Sequence, residues 1–172
     1  APGANLQLQP EMFELPPHDA LICQLEITLP SVTWAVARSA GFVCVNLAPA
    51  ANLDAAIFER ADLLVVNETE AAFYGAALQR ARGLVATTLG ARGAQLHRGA
   101  TLVAHVSAPE VTPIDTTGAG DAFVAALTVA LCRGEPADAA LAFACAAGAA
   151  ATLKPGAQPS LPGRHQVEAL LR

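Results

Sequence analysis

Apolar and polar positions along the chain fall into short strand-length runs separated by helical stretches. Residues 19–26, with Ala20-Leu21-Ile22-Cys23 at their centre, read as a short buried strand closing on polar residues. Thr28 or Ser31 can open the helix holding Val32, Trp34, Ala35 and Val36, and Gly41 can stop it. Residues 42–47 form the next apolar run, followed by a loop at 48–52 and a short helix near 53–60. A strand at 62–66 ends on Asn67-Glu68-Thr69-Glu70, with helices expected at about 68–74 and 77–82. Residues 84–88 make a further strand ending at Leu89-Gly90, and this repetition is the pattern of parallel α/β units.

The pattern changes from Gly93 to Val106, where two strand-like runs flank Arg98-Gly99-Ala100 and predict a hairpin. A Gly-rich turn then leads into an apolar helix reaching about Leu131, with Arg133-Gly134 at its end. Pro136 can start another helix through about Ala151, whose many Ala and Gly residues permit close packing against the preceding one. Residues 154–160 read as a turn-rich loop and 164–171 as a terminal helix. Without an internal repeat or a linker-like stretch, the expectation is one three-layer α/β unit over residues 1–172, with the hairpin as an embellishment.

Composition narrows the function. The chain has 172 residues, enough for one substantial core; 53% are hydrophobic and only 15% charged, which opposes disorder. With 10 Lys and Arg and a formal charge of -5, a broad nucleic-acid footprint is excluded, whereas an anion site built from backbone amides needs few cations. Charged residues interrupt the apolar runs before a membrane-spanning length, and no basic region precedes a hydrophobic one at the start. A cytoplasmic protein without a membrane partner is therefore expected. Cys23, Cys44, Cys132 and Cys145 are isolated in apolar segments and read as buried free thiols. The chain opens Ala1-Pro2-Gly3 without an initiator Met, as processing or fragmentation would leave it.

The chemistry concentrates at residues 114–127. Small residues at 118–120 let backbone approach a ligand, and a helix starting there aims unpaired N–H groups at an anion. Asp121 is either a first-turn acid that favours the helix dipole or a general base beside a phosphate cradle, taking a proton from an alcohol. Ligand sites in parallel α/β folds gather beyond the carboxyl ends of strands. Glu26, Asn46, Asn67 with Glu70, and Thr88 with Gly90 all occupy such positions, and together with the Gly-rich helix start they describe a nucleotide cleft. Asn67 and Glu70 either cap the following helix or hold magnesium-bound water beside ATP phosphates. His18, His97, His105 and His165 lack zinc spacing, the serines lack a nucleophile elbow, and Trp34 reads as core.

The run Asp115-Thr116-Thr117-Gly118-Ala119-Gly120-Asp121-Ala122-Phe123 resembles the carboxyl-terminal signature of the ribokinase-like (PfkB) carbohydrate kinase family. Gly3-Ala4-Asn5, Gln24-Leu25-Glu26, Asn46-Leu47-Ala48-Pro49-Ala50, Asn67-Glu68-Thr69-Glu70, Thr88-Leu89-Gly90-Ala91-Arg92-Gly93 and Gly156-Ala157-Gln158-Pro159-Ser160 follow the order found in ribokinases. The resemblance implies a ribokinase-like, Rossmann-like three-layer fold with a mostly parallel sheet. It implies ATP-dependent phosphorylation of a sugar's primary hydroxyl, ribose to ribose 5-phosphate in first place, with another sugar or a nucleoside as the alternative acceptor and a truncated, non-catalytic nucleotide-binding or interaction protein as the alternative class. Asp121 would be the catalytic base and would touch the sugar. Gly118, Ala119 and Gly120 would form the anion hole. Asn67 and Glu70 would organise the magnesium (Mg2+) and phosphate end, Thr88, Gly90 and Cys145 would border the nucleotide, and Glu26 would lie near the sugar. A potassium (K+) site would draw on Asp115, Thr117, Ala151, Lys154, Gly156 and Ser160, several through backbone carbonyls.

The match starts partway through the family pattern. By the same resemblance the amino-terminal portion is missing, with its glycine-rich sugar-binding residues, first strands and small β-sheet lid. Such a sheet would present an open edge, to be covered by a second copy or by an associated amino-terminal portion. Residues 75–83 are abbreviated relative to ribokinases, which implies a shortened peripheral helix.

Overall fold

The computed structural model describes residues 2–171. Its six strands form one sheet in the order β1 (Ala20–Cys23), β2 (Phe42–Asn46), β3 (Leu63–Asn67), β4 (Leu84–Thr88), β5 (Ala94–Arg98) and β6 (Thr101–Val106). The chain divides into two compact units. The first holds residues up to 87 together with 97–101; the second holds 88–96 and residues from 102 onward.

In the first unit, β1 runs parallel to β2 with Ala20 opposite Phe42, and β2 runs parallel to β3 with Cys44 opposite Leu63. Val43, Cys44 and Val45 are all buried, as are Leu63 through Val66. Continuous apolar runs rather than alternating ones are what a strand covered on both faces requires. The crossovers are helices α2 (Leu29–Arg38), α3 (Ala55–Arg60) and α4 (Glu68–Tyr74). Val32, Val36, Ile57, Phe58 and Tyr74 from these helices join Val43, Val45, Leu64 and Val66 in the core. Asp54 caps α3 by accepting the Ala56 amide at 2.9 Å, a contact of the kind worth about 1 kcal/mol. Gly83 precedes β4 because any Cβ there would collide with the Asp62 carbonyl.

Before β1 the chain makes two short turns that the hydrophobic pattern does not mark, α1 (Pro2–Asn5) and a 3₁₀ turn at Pro10–Met12. The Leu8 carbonyl accepts from the hydroxyls of Thr28 and Ser31 at 2.8 and 3.1 Å. Thr28 thus precedes α2 without capping it through its side chain. The expected strand at 19–26 contracts to four residues. Gln24 turns its side-chain oxygen onto the Glu26 amide at 2.6 Å, and the Leu25 amide leaves the ladder for the Ala48 carbonyl at 2.8 Å. The second helix expected near 77–82 is a 3₁₀ turn over Gly75–Arg80. Trp34 is half-buried rather than core, with its ring 5.0 Å from the Arg38 guanidinium carbon and 6.3 Å from Phe13.

The second unit is dominated by two helices that pack on each other, α5 (Ala119–Cys132) and α6 (Ala137–Ala151). Leu127 and Leu141 are fully buried there, and Ala122, Ala130, Ala140, Ala144 and Ala147 of the same two helices are buried as well. Small side chains allow close approach: a Cβ added to Gly148 would lie 3.3 Å from the Ala119 carbonyl. Two short helices follow, α7 (Ala157–Ser160) and α8 (Arg164–Ala169), and Val167 of α8 packs against Ala146 and Ala147. The expected loop at 154–160 therefore contains a helical turn, which Gly156 enters at φ +85°. All four cysteines are free thiols; Cys132 is half-buried and the other three are buried. No helix among the described residues is long and apolar enough to cross a membrane.

Candidate active site

The second unit carries a cavity of about 490 Å³ at the amino end of α5. Thr88 at the end of β4 and Gly90 just beyond it line the cavity, with Ala119 and Gly120 from α5 and Cys145, Gly148 and Ala149 from α6. Residues 108–111 and Pro113 supply a further wall. The lining is apolar apart from Thr88, Thr116, Thr152 and Glu110, and mostly small, with Phe123 the large exception. That is the composition of a pocket for a flat, largely apolar group with polar fixing points.

Gly118 sets the helix entrance. Its φ of +82° lies in the left-handed region, and a Cβ there would also come within 3.4 Å of the Ala157 backbone. The turn uses some amides and frees others. Ala119 N–H returns to the Thr116 carbonyl at 3.2 Å, and Ala122 N–H to the Gly118 carbonyl at 2.9 Å. The amides of Gly120 and Asp121 have no backbone acceptor among the described residues. Two open donors at the positive end of a 14-residue helix form an anion-binding geometry. The Asp121 side chain, third in α5, is exposed and has no hydrogen-bond partner among the described residues. It is therefore free to accept a proton from an approaching hydroxyl.

Asp115 behaves differently. Its Oδ1 accepts the Thr117 amide at 2.9 Å and the Thr117 hydroxyl at 2.7 Å, while Oδ2 accepts the Gly156 amide at 2.8 Å. These donors, Gly156 first, hold its pKa down at about 2. Ile114 and Asp115 also donate their own amides to the Thr152 carbonyl, at 2.8 and 3.2 Å. The carboxylate thus clasps the segment before the anion-binding turn to the start of α7.

That clasp bears on a monovalent-cation site. Four lone-pair positions on the carboxylate, less three donors, leave one for an ion. Ser160 is buried and spends its own proton on the Ala157 carbonyl at 2.8 Å, which leaves its hydroxyl oxygen able to accept or coordinate. Ala151 is buried, Gly156 half-buried, and Lys154 exposed, so only the backbone of Lys154 suits the role. The donor set fits a weakly held, oxygen-ligated cation.

In the first unit, Asn67 and Glu70 form a reciprocal capping box. Asn67 Oδ1 accepts the Glu70 amide at 2.9 Å, and Glu70 Oε2 accepts the Asn67 amide at 2.7 Å. Asn67 Nδ2 adds a third bond to Glu70 Oε1 at 3.0 Å. Glu70 is buried, so this box both starts α4 and fixes a carboxylate that retains one free lone pair on each oxygen. Glu26 is exposed in the turn after β1. No group of three His, Cys, Asp or Glu among the described residues could encircle a metal. The residues fit a divalent ion carried mainly on phosphate oxygens and water, not one held in a protein cage.

Burial raises the Cys145 thiol to about 11, so it stands in the pocket as a neutral, apolar surface. The pattern of the sequence did not single out Gly148, Ala149, Thr152 or residues 108–113 as pocket wall. The pair Pro109 and Pro113, flanking Glu110 and Val111 just after a strand, was the available sign of a stiff loop beside a site.

Residues 26–164 match the model of the pfkB family carbohydrate kinases. Ribokinase of Bacillus subtilis is 38% identical over 135 residues, covering 75% of this chain and 46% of that protein. The crystal structure of ribokinase from Thermotoga maritima superposes with a TM-score of 0.88 at 33% identity, covering 99% of this chain and 63% of that one. The structure of Arabidopsis thaliana ribokinase complexed with ribose and ATP gives a TM-score of 0.77 at 29% identity, covering 90% and 56%. The chain spans about half the length of the curated relatives it matches.

Proposed function

This chain belongs to the pfkB family of carbohydrate kinases, and from that premise we propose that it is the carboxyl-terminal, nucleotide-binding and base-bearing portion of an ATP-dependent sugar kinase. The observation that carries the reading is the adjacency of two open amides, Gly120 and Asp121, to an unpartnered Asp121 carboxylate in the first turn of α5, whose Ala119 and Gly120 line a cavity of about 490 Å³. Residues 1–172 are read as part of one ribokinase-like domain. The substrate is ribose, phosphorylated at its primary hydroxyl to ribose 5-phosphate; the Arabidopsis thaliana relative complexed with ribose and ATP supports that choice.

In the proposed reaction the sugar oxygen attacks the γ-phosphorus of ATP, its proton passes to Asp121, and ADP leaves. Gly118, Ala119 and Gly120 form the turn that bears the anion hole, with the Gly120 and Asp121 amides as the donors left open for the charge developing on the transferring group. Thr88, Gly90 and Cys145 border the nucleoside, and Glu26 is assigned to the sugar side by resemblance. Asn67 and Glu70 are assigned to magnesium-bound water, the ion supplying charge neutralisation on the phosphates. Asp115, Thr117, Ala151, Lys154, Gly156 and Ser160 are assigned to a potassium ion that would supply positive charge behind the hole. A cytoplasmic location goes with this reading.

The test is calorimetric titration of the full chain with ATP, followed by assay of the protein that contains it against ribose, fructose and nucleosides. ATP binding with preferential turnover of ribose is expected. Absence of ATP binding would overturn the nucleotide site, and preference for another acceptor would overturn ribose.

A further inference from the structure

Among the described residues Glu110 is the one charged side chain lining the cavity, and it is an acid where the proposed ligand is a polyanion. Its carboxylate has no hydrogen-bond or ion-pair partner among the described residues. Like charges exclude the phosphates from its neighbourhood, and those belong instead at the open amides of Gly120 and Asp121. The apolar slot around Phe123, Cys145 and Gly148 suits the base. Between a base in the slot and phosphates at the helix entrance comes the sugar of the nucleotide. A carboxylate at the pocket wall has two oxygens able to accept paired donors, and a ribose 2′,3′-diol offers two on adjacent carbons.

We propose that Glu110 accepts the ribose hydroxyls of the bound nucleotide and so selects ribonucleotides over 2′-deoxyribonucleotides. This deepens the nucleotide reading above and rests on it. An acid reading a ribose 2′-hydroxyl is a recurrent device in nucleotide-binding α/β folds, and it also repels a 2′-phosphate. The loop is built to present such a group. Pro109 and Pro113 restrict the backbone on either side of Glu110. Its far end is tied by the Ile114 and Asp115 amides to the Thr152 carbonyl, and its near end passes so close to Gly93 that a Cβ there would come within 2.7 Å of the Ala108 nitrogen. Less ordering is then required when ligand arrives.

The experiment titrates the full chain calorimetrically with ATP and with 2′-deoxy-ATP, for the unsubstituted protein, Glu110→Gln and Glu110→Ala. Glu110 is exposed, so both variants are expected to keep the parent thermal midpoint. A charge-assisted hydrogen bond predicts at least about tenfold tighter binding of ATP than of 2′-deoxy-ATP by the parent chain. Glu110→Ala should bring that ratio to near one, leaving 2′-deoxy-ATP binding equal or tighter; Glu110→Gln should fall between. Equal binding of the two nucleotides by the parent chain, or a ratio that survives Glu110→Ala, overturns the role of Glu110 while leaving the nucleotide site standing. Failure of the parent chain to bind either nucleotide overturns both.

Discussion

The carboxylate of Asp115 receives the backbone amide of Gly156 at 2.8 Å across 41 positions of the chain. One side chain thereby ties the segment leading into the anion-binding turn to the start of α7. The same carboxylate takes both Thr117 donors, so it organises the turn from within as well as from outside.

The clasp predicts a specific acid response. The folded-state pKa of about 2 lies below the ordinary 3.8, so the contribution of Asp115 is complete above about pH 4 and is lost as pH falls through 2. Asp115→Asn should melt below the parent at pH 6, and the gap should shrink between pH 4 and 2. Thermal midpoints measured across that range check it; coincident midpoints at pH 6 would refute the clasp.

Asp121→Asn keeps the shape of the helix entrance and removes the proton acceptor. In the protein containing this chain, kcat should fall by roughly two to four orders of magnitude with ATP affinity retained. Near-normal turnover would remove Asp121 from the base role.

Glu70→Ala breaks the capping box and leaves the Asn67 backbone amide and side-chain amide without their carboxylate acceptor. A loss of about 1 kcal/mol is expected, with an upper range near 2, and Glu70→Gln should recover part of it. Urea denaturation of the three proteins gives the comparison. An unchanged midpoint for Glu70→Ala would show that the box contributes nothing to α4.

Cys145 should resist alkylation. With its thiol raised to about 11 by burial, iodoacetamide at pH 8 should leave it largely unmodified over hours, and ATP should slow what reaction remains. Peptide mass analysis of treated protein reads this directly. Rapid modification at pH 8 would mean that the thiol is not buried in the apolar pocket wall as described.

Much of the fold is legible one residue at a time. The strand at 84–88 and the helix at 137–151 stand where hydrophobic runs and Pro136 place them, because both signals are local. The strand at 19–26 is overread because Gln24 spends its side chain on a turn that periodicity cannot register. The hidden turns near the start depend on Leu8 meeting Thr28 and Ser31, some twenty positions away.

The site divides along the same line. A Gly-rich run before an apolar helix announces exposed amides from the residues alone, because glycine is what a left-handed entrance at Gly118 demands. Nothing in the linear order says which amides remain open. That depends on Ala119 returning to Thr116, while Gly120 and Asp121 find no acceptor. The same holds for Glu110, an unremarkable loop acid until the approach of β6 to Gly93 and the tie to Thr152 bring its loop to the cavity wall. Local backbone preference and hydrophobic period determined the elements and the helix entrance. Packing between distant segments decided which polar groups are spent on the protein and which are left for a ligand, because hydrogen-bond satisfaction is a property of neighbours in space.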